Sequence, residues 1–206
     1  VYDSYDTFIS ELMDNFDADI ANQKNVTLVK YDASKTQTTQ NKQVEKMIED
    51  GCDVICVNLV DRTAPKKIID LAKSGNTPIV FFNRELVAED LQQWNSLYYV
   101  GANAEESGIM EGQIAADAWK ASAASDKNGD GIIQYVVMEG EAGHQDAIVR
   151  TEKSVNTLID AGLQVDKIAS PIANWNCSQA QTRMAPLITT NKDSIEMVIC
   201  NNDDMA

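Results

Sequence analysis

Three observations in this sequence predict an α/β fold of two lobes, each a parallel sheet flanked by helices. Short apolar runs rich in β-branched residues alternate with segments whose apolar residues recur at helical spacing. The runs are too uniformly apolar for strands with one wet face, so they belong to sheets covered on both sides. The alternation restarts near residues 110–130, which sets a first lobe at 1–110 and a second at 111–206.

The elements follow in order. Val26 to Tyr31 reads as a short strand, and Thr38 to Asp50 as a helix with Val44, Met47 and Ile48 on one face. Val54 to Leu59 is a buried strand, and Ala64 to Ser74 a helix turning Ile68, Ile69 and Leu71 inward until Gly75-Asn76 stops it. Strands at Pro78 to Phe82 and Leu97 to Val100 precede a helix from about Ala104 to Trp119. The second lobe repeats the scheme: strand 132–138, helix 145–161, strand 163–169, helix 176–190 and strand 195–200.

Composition excludes several function classes. A chain of 206 residues with net charge −15 lacks the basic surface that a phosphate backbone requires, so nucleic acid is not a partner. No run of about 18 apolar residues is present to span a bilayer, and no signal peptide is recognisable. Cys52, Cys56, Cys177 and Cys200 have no metal spacing; buried free thiols are the ordinary reading, and a disulfide stays open.

Asp126-Lys-Asn128-Gly-Asp130-Gly131-Ile132-Ile-Gln134 has the look of a calcium loop. Oxygen side chains stand at alternate positions 126, 128 and 130, and Gly131 sits at the sharp turn. Ile132 can offer its carbonyl, and Gln134 a further oxygen. The position of the bidentate Glu of an EF-hand is Val137, and Ile132 to Met138 reads as a strand, so the missing carboxylate has to come from elsewhere. The same residues would also make a plain polar turn.

Ligands of such sheets bind outside the carboxyl ends of the strands. There lie Phe81-Phe82-Asn83-Arg84-Glu85, then Glu139 through His144 and Asp146 to Arg150, then Asn201-Asn202-Asp203. Planar donors and acceptors of this mix suit the hydroxyl pairs of a sugar. Phe8 and Trp175, near helix starts, can cover the apolar ring faces. A core position is the ordinary use of a Phe and a structural one that of a lone His. It is the joint placement at strand ends that favours a binding site.

Tyr5-Asp6-Thr7-Phe8, Asn58-Leu-Val-Asp61, Val80-Phe-Phe-Asn83, Tyr98-Tyr-Val-Gly101, Glu106-Ser-Gly108, the 126–134 loop, Gly140-Glu-Ala-Gly-His144-Gln-Asp146, Arg150, Trp175 and Asn201-Asn-Asp-Asp-Met-Ala206 together resemble the periplasmic galactose/glucose-binding proteins of bacterial sugar ABC uptake systems, type 1 periplasmic binding proteins. The resemblance runs from end to end of the chain. It implies two Rossmann-like lobes closing on a pyranose. Asp6, Asn83, His144, Asp146, Arg150 and Asn202 would bond the sugar hydroxyls and ring oxygen, with Phe8 and Trp175 stacked on its two faces. Ca2+ would be held by Asp126, Asn128, Asp130, the Ile132 carbonyl, Gln134 and a bidentate Glu196. The family pattern continues past Ala206 with further strands and two more sugar-binding residues, an Asp and an Asn, so the C-terminal lobe is expected to be incomplete and to expose a sheet edge.

The expected function is therefore non-enzymatic: a monomer that binds D-galactose or D-glucose and delivers it to an ABC transporter permease. The resemblance also allows a chemoreceptor as partner, and a periplasmic or extracellular, lipoprotein-anchored location. A binding protein for another pentose or hexose is the nearest alternative. The core of a sugar-responsive regulator is a second, although no basic helix-turn-helix head is present. A sugar-modifying enzyme using Asp6 and Asp146 is a third. No Ser or Cys nucleophile has a placed base, and no glycine loop cradles a phosphate.

Overall fold

The computed structural model describes residues 1–206, which divide into two compact units, Val1–Ala102 and Asn103–Ala206. The division falls at 102/103 rather than 110/111, because the whole of the helix that follows packs within the second unit.

Unit 1 runs α1 (Thr7–Ala21), α2 (Gln37–Glu49), β1 (Ile55–Val57), α3 (Lys66–Gly75), β2 (Ile79–Phe82), α4 (Ala88–Leu91) and β3 (Leu97–Val100). The strands form one parallel sheet in the order β1-β2-β3, with Ile55 opposite Ile79 and Ile79 opposite Leu97. Ile55, Val57, Ile79, Phe81 and Leu97 face α2 and α3, whose Val44, Ile68, Ile69 and Ala72 complete a dry core. Alternation sends Cys56 and Tyr98 to the other face, where both are exposed; there Phe82 meets Phe16 of α1 at 6.1 Å. Asn76, in the left-handed region at φ 50°, ends α3.

Two expectations fail. Val26 to Tyr31 is not a strand: Val26 and Val29 are exposed, and the backbone bonds to the chain start, Val1 N to Tyr31 O, Ala33 N to Val1 O and Lys35 N to Tyr2 O, form no ladder along 26–31. The cysteines are free but not buried; Cys56 and Cys177 are exposed, and Cys52 and Cys200 are half-buried.

Unit 2 runs α5 (Ala104–Ala121), a 3-10 turn, β4 (Ile132–Met138), α6 (Gln145–Asp160), β5 (Gln164–Ala169), α7 (Cys177–Asn191), β6 (Met197–Cys200) and a closing 3-10 turn, Asp203–Met205. Its parallel sheet has the order β5-β4-β6. The central strand β4 is buried on both faces. Ile133, Tyr135 and Val137 pack with Ala116 of α5 and Leu158 of α6, while Met138 packs with Ala180 of α7.

Helix α5 lies unusually close on α6. Its buried residues Ala104, Gly108, Gly112 and Ala116 recur every fourth position on one small-residue face. A β-carbon at Gly108 would stand 2.9 Å from Arg150 O, and one at Gly112 would stand 2.5 Å from Ser154 O. These glycines thereby allow α5 and α6 to approach backbone to backbone. No helix is long and apolar enough to cross a membrane.

Candidate functional site

In unit 1 the carboxyl ends of β1 and β2 and the start of α1 are joined by one polar chain. Asp6 caps α1, its carboxylate accepting from Ile9 N at 3.0 Å and from the Tyr2 hydroxyl at 2.5 Å. Tyr2 N donates to Asn58 Oδ1 at 3.2 Å, and Asn58 Nδ2 donates to Asn83 Oδ1 at 2.9 Å. The Arg84 guanidinium lies 3.8 Å over the Tyr2 ring and donates to Val60 O. Burial, then the Asp6 carboxylate, raises the Tyr2 phenol, so it serves Asp6 as a neutral donor. Asn83 adopts φ 62°, a left-handed turn that swings it off the end of β2, and Tyr99 bonds its carbonyl at 3.0 Å. Phe8, one residue into α1, is 57 % exposed and so is no core residue.

In unit 2 the chain leaves β4 through Gly140 and Gly143 and starts α6 at His144. The His144 Nδ1 accepts from Asp146 N at 3.1 Å, and both side chains are buried. Asp146 lies one turn before Arg150, 3.8 Å from its Nη2. Arg150 Nη1 donates to Asn201 O at 2.9 Å, and its buried Nε has no protein partner. Trp175 follows Asn174 through two successive left-handed residues, at φ 53° and 62°. That reversal lays the indole over Gly140, edge-on to the His144 ring at 5.0 Å. His144, Asp146, Arg150 and Trp175 thus stand together.

Asn202 spends its side-chain oxygen on Met205 N at 3.2 Å. Its neighbour Asn201 is fully buried, accepting from Gly140 N and donating to Thr151. Sequence reasoning did not single out Asn58, Tyr2 or Asn201 as site residues. The signal available was an Asn closing a buried strand, visible in Val57-Asn58 and Cys200-Asn201.

The 126–134 loop curls on itself. Asp126 accepts from Gly129 N and Gly131 N, Asn128 from Asp130 N, and Asp130 from Ile132 N at 2.8 Å. The Ile132 N–H, then the Asn128 and Gln134 amides, holds the Asp130 carboxyl below its ordinary range. Gly129 and Gly131 take φ 75° and 74°. Glu196 reaches in from the start of β6, its two oxygens accepting from Lys127 N at 2.6 Å and Gln134 N at 3.2 Å. The donor set is all oxygen, which fits a hard cation such as calcium. Its carboxylates are engaged by loop N–H groups, and no three His, Cys, Asp or Glu side chains converge to hold a metal.

The model of the periplasmic binding protein domain matches residues 1–206. The chain belongs to the periplasmic binding protein family. Over its full length it is 35 % identical to the D-galactose/methyl-galactoside binding periplasmic protein MglB of Haemophilus influenzae, of which it covers 62 %. The xylitol-binding protein of Mycolicibacterium smegmatis is 27 % identical, with 54 % of its length covered. The chain thus spans less than two thirds of these relatives. Among solved structures, an arabinose transporter's periplasmic binding protein from Shewanella superposes at TM-score 0.84 with 20 % identity, over 98 % of this chain and 63 % of that one. A Bacillus halodurans solute binding protein with bound myo-inositol superposes at 0.83 with 23 % identity, over 99 % and 65 %. At these identities the likeness is one of fold, the type 1 periplasmic binding protein.

Proposed function

We propose that the chain binds a hexose, D-galactose or D-glucose, outside the cytoplasm and without turnover, for delivery to an ABC importer. The observation that carries this reading is the set of buried His144 and Asp146 and half-buried Arg150 at the start of α6, with the Trp175 ring beside it. An indole face suits the C–H side of a pyranose, and the carboxylate and guanidinium suit its hydroxyls. Unit 1 carries a polar set of its own, Asp6 held by Tyr2 and Asn83 held by Asn58, with Phe8 exposed on α1. The 35 % identity to a protein named for D-galactose and methyl-galactoside supports a hexose over a pentitol.

Calorimetry against D-galactose, D-glucose, D-allose, L-arabinose, myo-inositol and xylitol tests the reading. Galactose or glucose binding tightest is the expected result; a preference for myo-inositol or xylitol overturns it. A buried polar set made for particular hydroxyls discriminates strongly against ligands lacking them.

Calcium forms a second part of the proposal. Asp126, Asn128, Asp130, the Ile132 carbonyl, Gln134 and Glu196 would hold one ion, whose charge would tie the loop to β6. Support comes from the Glu196 carboxylate, already folded into the loop.

A further inference from the structure

β6 stands at the edge of its sheet, and its last residue, Cys200, donates its backbone N–H to a side chain: Glu111 Oε1 of α5, at 3.2 Å. The next residue, Asn201, offers its carbonyl to Arg150 Nη1. Glu111 therefore grips the strand end on which Arg150 rests. It also faces Arg150 electrostatically, across the α5–α6 packing.

We propose that Glu111 is a positioning residue for Arg150, and that its carboxyl group sets the aim of the guanidinium toward sugar. The inference rests on the hexose reading above.

The charged neighbours of Glu111 are few. From α6 comes Arg150, with Asp146 behind it; from β6 comes the Cys200 thiol, itself pushed up to about 11 by burial and then by Glu111. The Lys153–Glu105 pair lies farther along the same helix packing, at 2.6 Å. Burial pushes the Glu111 carboxyl up to about 7, against the opposing pull of the Cys200 N–H and Arg150. Protonated, Glu111 still accepts from Cys200 through its carbonyl oxygen and leaves Arg150 to Asn201 and Asp146. Ionised, it competes for the guanidinium, whose buried Nε has no protein partner to hold it in place.

The test is hexose affinity by calorimetry at pH 6, 7 and 8 for the protein, Glu111→Gln and Glu111→Ala. Affinity of the unsubstituted protein should fall with rising pH by about fivefold, within the coupling worth one pK unit. Glu111→Gln keeps an acceptor for Cys200 but cannot ionise, so it should hold the pH 6 affinity throughout. Glu111→Ala should bind weakly at every pH. A flat profile in the unsubstituted protein, or an unchanged slope in Glu111→Gln, overturns the inference. A second measurement needs no sugar: the carboxyl-carbon NMR titration of Glu111. Its midpoint near 7 should rise when Arg150→Met removes the cation. A midpoint indifferent to Arg150 overturns the positioning role, whereas failure of hexose to bind with that coupling intact overturns the hexose reading alone.

Discussion

The indole of Trp175 lies so close over Gly140 that a β-carbon on Gly140 would stand 2.2 Å from Cζ2 of the ring. Gly140 also gives its N–H to Asn201 Oδ1 at 2.9 Å, a bond that alanine would keep. Gly140→Ala should therefore displace the indole while leaving the strand end bonded. The expected result is hexose affinity weakened by about tenfold or more, equivalent to about 1.4 kcal/mol. Unchanged affinity by calorimetry would show that the ring is not placed for ligand.

Trp175 should also report binding optically. Hexose should change tryptophan emission, and Trp175→Phe should remove most of the change. A signal that survives in that variant belongs to Trp94 or Trp119, which pack against the two sheet cores, and the stacking role would then be lost.

Asp146 is buried beside Arg150. Asp146→Ala leaves the guanidinium with a lost partner and the sugar with a lost acceptor, at a cost of about 1–3 kcal/mol in binding free energy. Calorimetry returning the original affinity would remove Asp146 from the site.

Gly112 allows α5 to touch the backbone of α6. Gly112→Ala drives a methyl to within 2.5 Å of Ser154 O, which cannot yield as a flexible side chain would. Overpacking of this kind costs about 1–3 kcal/mol. Thermal melts should show a lower midpoint, and an unaltered one would mean that the helices separate freely.

The raised Glu111 carboxyl makes a pH prediction for stability. Its folded value of about 7 lies above the ordinary 4.5, so between these the folded state holds a proton that the unfolded chain has released. The stability this contributes is full below 4.5, falls as pH rises through 7, and is absent above. Relative to Glu111→Gln, the unsubstituted protein should lose melting temperature between pH 5 and 8. Parallel profiles would contradict the shift.

The fold was readable because its cause is local. Apolar β-branched runs such as Ile132 to Met138 form strands with little else to choose from, and the caps Asn103, His144 and Asn176 stand where α5, α6 and α7 begin. Val26 to Tyr31 misled because its composition is strand-like while no strand pairs with it; strand formation depends on a neighbour that composition does not reveal. Most of the candidate polar residues were readable as strand-end residues. Their supports were not: the Asn58–Asn83 bond spans two strands, and the Glu111–Cys200 bond links positions 89 apart. The small-residue face of α5 was on display at every fourth position, but only the depth of its packing on α6 gives it meaning.

Glu196 meets Lys127 and Gln134 across 69 and 62 residues of chain, and it arrives with β6. The turn at Asp126 to Gly131 can curl early from its own short-range bonds, but its long-range carboxylate waits for the sheet to close. Contacts of such sequence separation form slowly. Closure of Glu196 on the loop should therefore come late in folding, with hydrogen-exchange protection at Lys127 and Gln134 emerging in the slowest refolding phase rather than with helix formation.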